Sequence, residues 1–190
     1  MANDTLLVTG IHREELSFGD RVSALVDPAR VDVMRIPQGI PQTKKGPGEH
    51  FYSSAQHREI YLQLGQQVKH RYRLMIDLHR GLDETGRCAD VFCHDENFLR
   101  CLGERIRKLS GTSDIRLIHI MSPDTRGVEL NDEKVAAAEA RTWIPSKISL
   151  SKFPLYVGLE VYLPTDSDGK EDDWKFAHLL ISEIQACAPH

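Results

Sequence analysis

No apolar run in this chain approaches the ~18 residues that a membrane-spanning helix needs. The opening Met1-Ala2-Asn3-Asp4, followed by Thr5-Leu6-Leu7-Val8-Thr9, has no basic segment and no apolar stretch of leader length. Membrane insertion and secretion are therefore not expected. Cysteine is scarce: Cys88, Cys93, Cys101 and Cys187 are too few and too clustered for a disulfide framework, which points to a reducing cytoplasm. Basic excess is missing too. A net charge of -4 argues against the strongly basic face of a nucleic-acid binder. The densest basic cluster in a predicted helix, Arg105-Ile106-Arg107-Lys108, suits the negative end of a helix dipole. No Gly-x-Ser-x-Gly elbow is present, so a serine hydrolase has no nucleophile. Lys44-Lys45-Gly46-Pro47-Gly48 lacks the spacing and the ending of a phosphate-binding loop. Cys88 and Cys93, with His94 beside them, have no matching second pair and read as buried thiols rather than a zinc knuckle.

What is present is an ordinary globular composition. The chain has 190 residues, 41% of them hydrophobic and 27% charged, which suits one soluble domain spanning residues 1–190. Short apolar runs alternate with helical spacing. Strands are expected at Thr5–Thr9, Val31–Ile36, Arg73–Leu78, Ala89–Cys93, Ile115–Met121 and Leu155–Leu163. Helices are expected at Glu14–Val26, Ala55–His70, Glu96–Leu109, Asp132–Trp143 and Asp173–Ala186. Such alternation implies an α/β layered domain with a parallel or mixed sheet. Functional groups of such sheets gather at the carboxyl ends of strands, and His12 and His79 both fall there. Gly39, Pro41, Gly46, Pro47 and Gly48 make the stretch after the second strand a loop suited to the rim of a site, with His50, Phe51, Tyr52 and His57 placed to line it.

Three distant segments carry the chemistry. Gly10-Ile11-His12-Arg13-Glu14-Glu15 offers an imidazole and a carboxylate at i and i+3, on one face if a helix begins there. Asp77-Leu78-His79 brings a second imidazole, with Asp77 on the same strand face as a partner for it rather than as a further ligand. Two imidazoles and one carboxylate make the donor set of a catalytic zinc site with a position left for water. Glu160 interrupts Leu155-Tyr156-Val157-Gly158-Leu159 and Val161-Tyr162-Leu163. A carboxylate in a strand apolar on both faces is costly unless it is paired or near a metal.

Together these segments resemble the aspartoacylase and succinylglutamate desuccinylase family, a branch of the zinc carboxypeptidase fold. Gly10 to Glu15 resembles its Gly-x-His-Gly-x-Glu segment, Asp77-Leu78-His79 its Asp-Leu-His segment, and Gly158-Leu159-Glu160-Val161 its Gly-x-Glu-Val segment. Gly86-Arg87-Cys88 through Asn97-Phe98-Leu99, and Trp174 to Ala186, are similar to the elements that follow in that family. The resemblance implies a three-layer α/β/α sandwich around a mixed, mostly parallel sheet. It further implies one Zn2+ held by His12, Glu15 and His79, with Glu160 as general base in hydrolysis of a small N-acyl amino acid or short peptide. Arg13 stands where the family has glycine, and the family's Asn-Arg substrate pair is missing. Arg35 and Arg141 are the nearest counterparts for binding a substrate carboxylate. A metallocarboxypeptidase, or a metal-binding domain without turnover, are the alternatives.

Overall fold

The computed structural model describes residues 3–41, 49–83, 85–109, 115–121, 138–140, 144–164 and 168–188. Seven strands form one sheet: β1 (Thr5–Thr9), β2 (Val31–Arg35), β3 (Leu74–Leu82), β4 (Cys88–Cys93), β5 (Ile115–Ile120), β6 (Ala138–Ala140) and β7 (Leu155–Leu163), in the order β2-β1-β3-β7-β4-β5-β6. Every pairing is parallel except that of β4 with β7. The sheet is thus two parallel blocks joined back to back along β7 and β4.

Among the described residues five α-helices cover it: α1 (Leu16–Ser23), α2 (Glu49–Val68), α3 (Glu96–Ile106), α4 (Ser146–Ser149) and α5 (Glu171–Ala186). Phe18 and Val22 of α1, Phe98 and Leu102 of α3, and Phe176, Leu180 and Ile184 of α5 pack on Leu74, Ile76, Leu78, Leu155, Val157 and Leu159. The opposite face buries Leu6, Val8, Met75 and Tyr156 under Tyr61, Leu64 and Val68 of α2 and Ile148 of α4. Each strand feeds both cores by its two-residue alternation, as expected of a sheet covered on both sides. The result is the three-layer α/β/α sandwich with a mixed, mostly parallel sheet that the resemblance implies.

Local chemistry fixes the helix ends. The Asp95 carboxylate accepts the Phe98 N–H at 2.9 Å to open α3, and the Asp173 carboxylate accepts the Lys170 N–H at 2.8 Å to open α5. Of the basic cluster, Arg105 lies in the last turn of α3 and binds Glu183 of α5 at 2.5 Å.

Three expectations are corrected. The alanine-rich stretch read as a helix at Asp132–Trp143 contributes Ala138–Ala140 as β6, an edge strand beside β5, so pairing overrides helix propensity there. The rest of that stretch lies outside the described residues. β3 runs on to Leu82, because β7 pairs with it from Leu74 through Leu82, so His79 sits inside a strand rather than at its end. The cysteines also differ from expectation: Cys101 of α3 and Cys187 just after α5 form a disulfide, bringing together residues 86 positions apart. Cys88 and Cys93 are the buried free thiols expected.

Candidate metal centre

The centre begins at the turn leaving β1. Gly10 has φ +81, and a side chain there would lie 2.5 Å from Leu16 and 2.7 Å from the Ile36 carbonyl. Glycine is therefore required for the chain to turn sharply under the sheet end. His12 follows in extended conformation and Arg13–Glu15 form a single 3-10 turn, closed by the Glu15 N–H donating to the His12 carbonyl at 3.1 Å. That bond across three residues draws His12 and Glu15 together. Backbone bonds from Arg13 to Ile40 (3.1 Å) and from Ile40 to Ile11 (2.8 Å) pin the turn to the following loop. The Arg13 guanidinium donates to the Gly39 carbonyl, so the residue that departs from the family's glycine braces that loop.

His79 arrives from β3, the strand beside β1. Its Nδ1 lies 3.0 Å from Glu15 Oε2 and its Nε2 lies 3.1 Å from Asp77 Oδ2. The His12 and His79 rings stand 5.4 Å apart. The Nδ1 of His12 is buried with no hydrogen-bond partner among the described residues. One donor atom each from His12, Glu15 and His79 lies within 4.8 Å of the others, the one such group among the described residues. An orphaned imidazole nitrogen beside a second imidazole and a carboxylate fits a cation of the zinc type. Asp77 is the partner the sequence suggested: by taking the Nε2–H it leaves Nδ1 for a metal.

Asp77 is fully buried, and the Tyr61 hydroxyl from α2 and the Tyr156 hydroxyl from β7 (2.9 Å) both donate to its Oδ2. These two tyrosines escaped sequence reasoning. Their signal was present, since a buried phenol and a buried aspartate each demand a partner. Burial raises both phenols well above the usual tyrosine range, and Asp77 adds to it, so they stay protonated donors.

Burial alone would push Asp77 up and His79 down, but their mutual attraction and the surrounding hydrogen bonds win. Asp77 lies below its ordinary value and His79 well above its own. Burial lowers His12, against the opposing pull of Glu15. The His57 ring on α2 stacks 5.8 Å from His12 and lies tilted 4.8 Å from Tyr61. The side chains of His50, Phe51 and Tyr52 lie outside the described set.

Glu160 stands directly beside His79 in the parallel register of β3 and β7, on the same face. Burial raises its carboxyl; Glu15 and Asp90 add to that, while His79 and Tyr162 oppose it. His12, Glu15, His79 and Glu160 are thus gathered at one end of the sheet. Arg35 is not. Its guanidinium is held by both oxygens of Asp20, at 2.7 and 3.0 Å, on the exposed outer side of β2. Arg141 lies outside the described residues.

No protein-family model matches the chain, and no curated protein matches it. Its backbone is similar to those of several solved structures. One is the CwlD amidase of Clostridioides difficile, solved in complex with the GerS lipoprotein, at 10% identity and TM-score 0.51, covering 97% of this chain and 98% of that one. Another is the E177A mutant of murine aminoacylase 3, at 14% identity and TM-score 0.50, covering 97% of this chain and 63% of that one. The chain thus spans less than two thirds of the aminoacylase. At such identities the likeness is one of fold, and it agrees with the α/β architecture around a mixed, mostly parallel sheet expected from the sequence.

Proposed function

We propose that this chain is a zinc-dependent hydrolase of an amide bond in a small N-acyl amino acid, with His12, Glu15 and His79 as metal ligands and Glu160 as general base. The observation that carries the reading is the convergence of His12, Glu15 and an Asp77-backed His79 on one point, with Glu160 in register beside His79. The fold shared with an amidase and an aminoacylase supports the same class of reaction. When bound, zinc supplies Lewis acidity at the scissile carbonyl and acidifies a water molecule.

The protein's own groups do the rest. Asp77, fixed by Tyr61 and Tyr156, holds the Nε2–H of His79 and so sets the ring plane. Glu160 takes a proton from the attacking water and returns it to the nitrogen of the leaving amine. Partial burial suits that exchange, because a carboxyl raised from its solution value is the stronger base.

The test is elemental analysis of untagged protein together with hydrolysis of N-acyl amino acids and of dipeptides. About one zinc per chain, lost in His12→Ala, Glu15→Ala and His79→Ala, establishes the site. Release of free amino acid that Glu160→Ala abolishes while zinc stays bound establishes the base. Preference for dipeptides would make the protein a carboxypeptidase, and zinc-loaded protein inert toward every substrate would make it a binding domain.

A further inference from the structure

Beyond the metal centre, the same sheet face carries a second polar assembly. β4 runs antiparallel to β7, which places Asp90 directly opposite Glu160 and Cys88 opposite Tyr162. Like charges facing each other across a strand pair are destabilising unless something compensates them. The compensation is built. Arg116 of β5, in register with Asp90, grips both its oxygens at 2.5 and 3.0 Å. The Arg116 guanidinium carbon stands 5.7 Å from the centre of the Tyr162 ring. The Tyr162 hydroxyl donates to Asp90 Oδ2 at 3.2 Å. Gly81 of β3 completes the arrangement: a side chain there would run into the Tyr162 ring and come within 3.1 Å of Glu160 Oε1. The absence of a Cβ lets the phenol lie flat across β3 with the carboxylate beside it.

We infer that Arg116, Asp90 and Tyr162 are positioning residues that hold the Glu160 carboxylate against Gly81 at the edge of the metal centre. Arg116 pairs Asp90, so Glu160 faces a compensated carboxylate across the strands, and the bond from the Tyr162 hydroxyl to Asp90 fixes the phenol ring over Gly81, beside Glu160 Oε1. Asp90 is only 7% exposed whereas Arg116 is 47% exposed, so the guanidinium closes the assembly from the solvent side. The inference rests on the reading of Glu160 as general base, and it assigns a role to three residues that touch neither metal ligand nor metal.

The test uses the zinc-loaded full chain and the variants Tyr162→Phe and Arg116→Met, with Arg116→Lys as a milder change should Arg116→Met fail to fold. Crystal structures read the position of Glu160, elemental analysis reads zinc, and steady-state kinetics on an N-acyl amino acid read the consequence. The expected result is unchanged zinc, a Glu160 carboxylate displaced from Gly81, and kcat lowered about 10–100-fold with KM near the wild-type value. A Glu160 that stays in place, a loss carried by KM alone, or loss of zinc would each overturn the inference. If the wild-type protein hydrolyses nothing, the hydrolase reading fails, while the crystal structures still decide whether these residues place Glu160.

Discussion

The Nε2 of His79 lies 3.1 Å from Oδ2 of Asp77, two residues earlier on the same strand face, while the Nδ1 of the same ring lies 3.0 Å from Glu15. One imidazole is thereby clamped between a buried carboxylate that no solvent reaches and a carboxylate of the candidate ligand set. The orientation of the ring is settled by β3 before any metal arrives.

Asp77→Asn should therefore weaken metal binding without abolishing it. The amide carbonyl can take the place of Oδ2, where the Tyr61 and Tyr156 hydroxyls and the His79 N–H converge, but the negative charge behind His79 is lost and an NH2 group is buried at the unpartnered Oδ1 position. A fall of about 10–100-fold in zinc affinity is expected, measured by competition with a chromophoric chelator. Unchanged affinity would remove Asp77 from the metal centre.

Gly10→Ala should disturb the centre from its other side. At φ +81 the added methyl meets Leu16 and the Ile36 carbonyl, and the strain of that backbone region is of order 1–3 kcal/mol. The expected outcome is a lower denaturation midpoint together with reduced zinc content, since the displaced turn carries His12 and Glu15. Full zinc retention would show that the turn tolerates the shift.

Arg35→Ala should leave zinc content and KM as they are, because its guanidinium is engaged by Asp20 on the outer side of β2. A clear rise in KM for a carboxylate-bearing substrate would return Arg35 to the substrate site.

Reduction of Cys101–Cys187 should lower thermal stability and leave the metal centre intact. The bridge closes a long loop, with a separation of 86 residues, and loss of such a link removes about 2–5 kcal/mol. It joins α3 to the end of α5, both on the face of the sheet away from His12 and His79. Melting with and without reductant, followed by zinc analysis, checks both halves.

The free thiols should resist alkylation in the native state. Burial raises Cys93 to about 12 and raises Cys88 as well, so thiolate is scarce at neutral pH and below it. Mass spectrometry after iodoacetamide should find Cys88 and Cys93 unmodified in native protein and modified once it is denatured. Rapid native labelling of Cys93 would contradict its burial.

Much of this was legible in the chain itself. β7 is Leu155–Leu163 in both readings, because an unbroken β-type run is bracketed by Pro154 and Pro164. Glu160 stood out because nothing apolar in that run explains it. His12, Glu15 and His79 were nominated by residue type and spacing, and the fold brings them together. What was hidden depends on contacts between distant segments. The extension of β3 over Arg80-Gly81-Leu82 is supplied by pairing with β7 rather than by propensity. Tyr61 reaches Asp77 only because α2 crosses that face of the sheet. The pairing of Arg116 with Asp90 follows from strand register, and the closeness of Cys101 to Cys187 from the packing of α3 beside α5. Neither leaves a local trace.

The antiparallel seam between β7 and β4 has a consequence for how the centre tolerates change. His79, Glu160 and Asp90 occupy matching positions on three consecutive strands, whose spacing is locked at about 4.8 Å by the backbone ladder. The row behaves as a ruler, and side-chain length alone decides how far each carboxylate or imidazole extends from it. Shortening Glu160 to aspartate retracts its oxygens by one methylene, and the sheet cannot lean inward to compensate. The turn carrying His12 and Glu15 lies beyond the end of β1, held by a single bridge to Ile40 rather than by a full ladder, so any adjustment to an ion of different size falls to the turn while the row of strands stays still.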